Sequence, residues 1–70
     1  MTARMLSDLQ ILDLRRRLGL TQDEFATKIG CTARSVGGWE RGEHKPSQFA
    51  LAELHRWRHF AGWRGAEKTQ

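Results

Sequence analysis

Seventy residues, 39% hydrophobic and 29% charged, are enough for one domain that buries only about 60% of its unfolded surface, so the folded monomer is expected to be marginal and helped by a partner. A single cysteine excludes an internal disulfide, and with no apolar run near the ~20 residues of a membrane span and no basic-then-apolar leader, the chain reads as soluble and cytoplasmic. The formal net charge of +4 and isoelectric point near 10.2 favour polyanionic partners, although charge alone does not identify one.

Residues 1–6 carry no turn or cap chemistry and read as a flexible lead, with Met5 or Leu6 available as a hydrophobic staple over the first helix. Ser7 and Gln10 have the spacing of a capping box. Leu9, Ile11, Leu12, Leu14, Arg15 and Leu18 then predict a helix with a broad apolar stripe, ended by Gly19.

Thr21 and Glu24 repeat the capping box and open a second helix over 21–29, with Phe25, Ala26 and Ile29 on one face and Asp23, Thr27 and Lys28 on the other. Gly30 supplies the left-handed stop. After Cys31 the pattern restarts with Thr32 as a cap, Val36 and Trp39 facing inward, and Ala33, Arg34, Gly37 and Gly38 facing outward. Two short helices joined by a turn of about 3–4 residues containing Gly must cross steeply, which is the helix-turn-helix arrangement whose second helix enters a DNA major groove. The motif spans about 21–40.

Gly42 to Pro46 is a turn-rich loop, and Pro46-Ser47 marks a fresh helix start. Residues 49–61 predict one long helix with Ala50, Leu51, Leu54, Arg58 and Ala61 on a stripe and Trp57 and Phe60 at its edge. Gly62 is the expected stop, with room for a short fifth turn after it, and residues 64–70 read as a disordered polar tail. The organisation is a single all-α domain over 7–63, a compact bundle of four to five helices with no internal repeat.

The segment Gly19-Leu20-Thr21-Gln22-Asp23-Glu24-Phe25-Ala26, followed by Ile29-Gly30, Val36, Trp39-Glu40-Arg41-Gly42 and Lys45-Pro46-Ser47, resembles the lambda-repressor/Cro-type (XRE) helix-turn-helix family from about Ile11 to Leu54. A spaced pattern of this length is far more specific than a lone short motif. The resemblance implies a lambda-repressor-like fold and a sequence-specific, double-stranded DNA-binding transcriptional regulator. It also implies an ion pair between Arg15 on the first helix and Glu40 at the end of the recognition helix.

Arg34, second on the recognition helix, is the leading base reader, since a guanidinium can bond O6 and N7 of guanine together; its alternative is a solvated surface arginine. Ala33, Gly38 and Thr32 complete the expected base-contact set. Thr32 and Ser35 have equally good structural roles as cap and first-turn residue. Gln22 matches a family position that contacts phosphate and buttresses the recognition helix, and Ser35, Arg41, Lys45, Ser47 and Gln48 are further phosphate candidates. Arg16 and Arg17 face either solvent or DNA.

Gly37 and Gly38 depart from the family pattern, because relatives place longer side chains there and each helical glycine costs about 1 kcal/mol against alanine. Either bare backbone approaches DNA closely and leaves Arg34 room, or the helix is short and frays there. Fewer base contacts would leave more of the specificity to DNA shape.

Trp57, Phe60 and Trp63 crowd the C-terminal end beyond what a small core accommodates and form the candidate dimer surface, joined by Met5 and Leu6; the alternative is a hydrophobic lid over the monomer's own helices. His55 and His59 have a metal-compatible spacing without a third ligand, so no metal or other cofactor is expected. Cys31 reads as a packed turn cysteine before a reactive thiol. No paired carboxylates, Ser/His/Asp set or phosphate-binding glycine loop is present, which argues against an enzyme. The expected activity is a homodimeric repressor on an inverted-repeat operator, of the Cro-like, autoregulating antitoxin or anti-defence-operon kind. A protein-binding module with secondary DNA contact is the rival, and a sequence-blind nucleoid protein a third reading.

Overall fold

The computed structural model describes the backbone of residues 4–67 and the side chains of residues 4–61. Four helices follow one another among these residues: α1 (Asp8–Leu18), α2 (Gln22–Ile29), α3 (Ala33–Glu40) and α4 (Gln48–Glu67). None is long and apolar enough to cross a membrane.

Local chemistry sets each boundary. Ser7 caps α1 through the Gln10 amide while the Gln10 side chain accepts from the Ser7 amide, and Thr21 and Glu24 close the same reciprocal box on α2. Each box satisfies two helix-end donors that would otherwise lack partners. Gly19 and Gly30 end these helices at φ 70° and 92°, a left-handed turn that a β-carbon disfavours. Thr32 caps α3 by accepting from the Ser35 amide, and the Ser47 hydroxyl accepts from the Ala50 amide at the start of α4 at 3.1 Å.

The four helices enclose a core of Leu6, Ile11, Leu14, Phe25, Ala26, Ile29, Val36, Trp39, Ala50, Leu51 and Leu54. Leu6 immediately precedes the α1 cap and shares this core with Ile11 in the first helical turn, the arrangement of a hydrophobic staple. Met5 beside it is exposed. His55 on α4 donates from Nε2 to the Arg4 carbonyl, fastening the lead to the far end of the chain.

Three expectations need correction. Leu9 is 72% exposed and does not belong to the α1 stripe, because Ile11 and Leu14 define the buried direction and Leu9 points away from it. On α4, Arg58 is exposed, and Trp57 instead packs against the core with Ala61. Trp57 has Lys28 over its ring at 5.2 Å and Phe60 edge-on at 6.2 Å, so its position is held by cation–π and aromatic contact as well as burial. Gly62 does not stop α4, which continues to Glu67. Trp63 lies outside the residues whose side chains are described, and residues 68–70 of the expected tail lie outside the described residues altogether.

Candidate nucleic-acid interface

α2 and α3 are separated by Gly30, Cys31 and Thr32, with Gly30 and Cys31 both donating backbone hydrogen bonds to the Ala26 carbonyl at 2.8 and 2.9 Å. This turn drives α3 across α2 and packs Val36 and Trp39 onto the core. Cys31 is half-buried in the turn, and burial pushes its thiol above the ordinary value. That shift disfavours the reactive thiolate.

A polar brace holds α3 from below. Arg15 Nε lies 2.6 Å from Glu40 Oε2 and Nη2 lies 3.1 Å from Oε1, while Nη1 donates to the Leu20 carbonyl at 3.0 Å. Gln22 Nε2 donates to the same Glu40 Oε1 at 3.0 Å. The Glu40 side chain is only 7% exposed, against 18% for Arg15. Burial pushes the Glu40 carboxyl upward, but hydrogen bonds from Arg15 and Gln22 and the positive fields of Arg15 and Arg16 outweigh it and hold the group below the ordinary carboxylate value. The reciprocal bond to Glu40 raises the Arg15 guanidinium, with burial opposing. α1, α2 and the end of α3 are thereby locked in one geometry, with one N–H of the Gln22 amide held in the brace.

On the outer side of α3, Arg34 is exposed and makes no hydrogen bond or ion pair among the described residues. Arg34, Gly38 and Arg41 follow at i, i+4 and i+7, one stripe of the helix, opposite Val36. Thr32 and Ser35 are tied to each other, with Thr32 Oγ1 donating to Ser35 Oγ at 3.1 Å in addition to the cap itself. Lys45, Ser47 and Gln48 are exposed along the loop and the first turn of α4. Arg41 is also exposed, but its guanidinium is engaged by Glu43, at 2.8 Å from Nε and 3.0 Å from Nη2. The Arg41 hydrogen bonds and charge hold the Glu43 carboxyl below its ordinary value.

The expectation that Gly37 and Gly38 present bare backbone outward is overturned: both are buried, and α3 runs without a break to Glu40. Side chains from elsewhere cover them. A β-carbon on Gly37 would meet Arg41 Nη1 at 3.0 Å and the Gln22 amide at 3.7 Å, and one on Gly38 would overlap the His44 imidazole. In this arrangement the His44 ring lies over Gly38.

His44, which lies over Gly38, and Glu43, which holds Arg41, are the residues beside α3 that sequence reasoning missed. The signal for His44 was the glycine pair itself, two vacant positions on a helix followed by a loop short enough to fold back over them.

A family model described as Helix-turn-helix matches residues 11–56. An uncharacterized HTH-type transcriptional regulator of Methanothermobacter thermautotrophicus is 40% identical over 37 residues, a stretch that is 53% of this chain and 54% of that protein. The match thus spans about half the length of that relative. No solved structure gives a significant match.

Proposed function

Because the chain belongs to the helix-turn-helix family, we propose that it is a cytoplasmic, double-stranded DNA-binding transcriptional regulator that acts as a homodimeric repressor on an inverted-repeat operator. The observation that carries this reading is the exposed, unengaged guanidinium of Arg34 near the start of a second motif helix whose inner face is locked by Val36, Trp39 and the Arg15–Glu40–Gln22 brace. A helix held this rigidly can be pressed into a major groove without reorganising.

In this proposal Arg34 reads guanine, with Ala33 and Thr32 beside it. Gln22, Ser35, Arg41, Lys45, Ser47 and Gln48 set the register on the phosphates, where their contacts position without specifying sequence. Two recognition helices about 34 Å apart in a dimer would meet successive major grooves on one face of DNA. Occlusion of a promoter is the simplest outcome of that placement.

The test is selection of binding sites from random duplex DNA at near-physiological salt, followed by Arg34→Ala on the recovered site. An inverted repeat is expected. Arg34→Ala should weaken the cognate site by about 1–3 kcal/mol and relax one base per half-site. Equal weakening on all sequences would reassign Arg34 to a phosphate.

A second reading is supported by exposed aromatic surface. Phe49 is 75% and Phe60 52% exposed, and aromatic side chains at a surface favour a protein partner. In that case α4 would engage a different protein and DNA contact would be secondary, an outcome announced by sequence-blind binding in the same selection.

A further inference from the structure

Two adjacent glycines in an eight-residue helix are costly, at about 1 kcal/mol each relative to alanine, and α3 is nonetheless regular through both. What replaces their side chains comes from the loop that follows. Gly42 takes φ 73° and turns the chain back on itself. The Arg41 amide bonds the Gly37 carbonyl at 3.1 Å, the Gly42 amide the Trp39 carbonyl at 3.1 Å, and the Glu43 amide the Gly38 carbonyl at 2.9 Å. Glu43 is thus pinned to the backbone of Gly38, and the next residue, His44, is delivered over that glycine. Pro46 is buried two residues later, which anchors the other end of the loop.

The His44 ring occupies the space that a Gly38 β-carbon would need, yet His44 is exposed, so the ring covers the helix without entering the core. Its place lies on the Arg34–Gly38–Arg41 stripe, between two arginines on the side of α3 opposite Val36. Nε2 is the ring atom nearest Gly38, so Nδ1 is the ring nitrogen on the side away from that glycine, a donor or acceptor of the kind that a major-groove base edge requires.

We propose that Gly38 and His44 form one specificity unit, in which glycine vacates the recognition-helix position and the loop imidazole fills it and reads a base edge in the major groove. The proposal rests on the DNA-binding reading above and adds a contact that helix position 38 itself cannot make. It also assigns a function to Gly38: any side chain there evicts His44.

The experiment compares wild type, His44→Ala, Gly38→Ala and the double variant by site selection, by titration on cognate and scrambled duplexes, and by thermal melting. His44→Ala should retain the fold, lose cognate affinity by about tenfold and relax one base position per half-site, distinct from the one lost in Arg34→Ala. Gly38→Ala should melt no lower than wild type, because alanine favours the helix and the ring can swing away, yet it should show the same relaxed position. The double variant should bind no more weakly than His44→Ala, since both changes remove one contact. A wild-type motif left intact in His44→Ala overturns the proposal alone, as does equal weakening on cognate and scrambled DNA. Failure of the wild-type protein to select any motif overturns the regulator reading and this proposal with it.

Discussion

Replacing Arg15 by methionine keeps a long unbranched stem at the contact between α1 and α3 while removing three hydrogen bonds at once, two to Glu40 and one to the Leu20 carbonyl. The Glu40 carboxylate, 7% exposed, is left with the Gln22 amide as its remaining side-chain donor. Removing one partner of a buried pair costs about 3–5 kcal/mol, and the 18% exposure of Arg15 places this site at the low end, about 3 kcal/mol. A domain of this size has a total stability of about 3.5–10 kcal/mol, so Arg15→Met should lower Tm by about 12–24 °C at neutral pH. Circular-dichroism melts and urea titrations measure it. The double variant Arg15→Met/Glu40→Met should recover more than half of the loss, because no charge is stranded.

The same pair makes a pH prediction. Glu40 sits below its ordinary value in the folded chain, so its contribution is complete above the unfolded carboxylate pKa of about 4.3 and is lost as pH falls through the lower folded value. In Arg15→Met the stranded carboxyl shifts upward instead, so acid relieves that variant as it weakens the wild type. The stability gap should therefore narrow from the variant's side between neutral pH and about pH 4, and from the wild type's side below that. A loss under about 1 kcal/mol at pH 7, or a gap that stays constant down to pH 4, would refute the reasoning.

Three further outcomes are expected. Glu43→Gln releases Arg41 from its carboxylate partner, so DNA affinity should rise on all sequences and the plot of log K against log salt should steepen by about 0.9 per protomer, about 1.8 for the dimer; an unchanged slope would show that Arg41 does not reach phosphate. Leu6→Ala removes a buried side chain, 5% exposed, and should cost about 2–4 kcal/mol in a urea titration, whereas a dispensable lead would lose under about 1 kcal/mol. Phe60→Ser, at a 52% exposed position, should shift sedimentation toward monomer with little effect on the fold of each copy; an unaltered oligomer would move the proposed dimer surface elsewhere.

Much of the fold was legible one turn at a time. Ser7 with Gln10, Thr21 with Glu24, and the glycines at 19 and 30 announce helix ends through interactions that reach no further than four residues, and the structure contains each of them. The family pattern also pointed to Arg15 and Glu40, which meet across 25 positions of chain. The outer face of α3 was not legible in this way. A helical wheel puts Gly37 and Gly38 outward and bare, whereas in the folded chain the guanidinium of Arg41, the amide of Gln22 and the ring of His44 cover them. The exchange of Arg58 for Trp57 at the core edge has the same origin, since Lys28 on α2 supplies a contact that no period in α4 encodes.

Caps, stops and apolar period are therefore properties of short windows, carried by the residues themselves because their partners are always a few bonds away. Which surface meets a ligand depends on where the loop after Gly42 returns and what it lays over the helix, a matter of long side chains finding free space, and that space exists only once all four helices are packed.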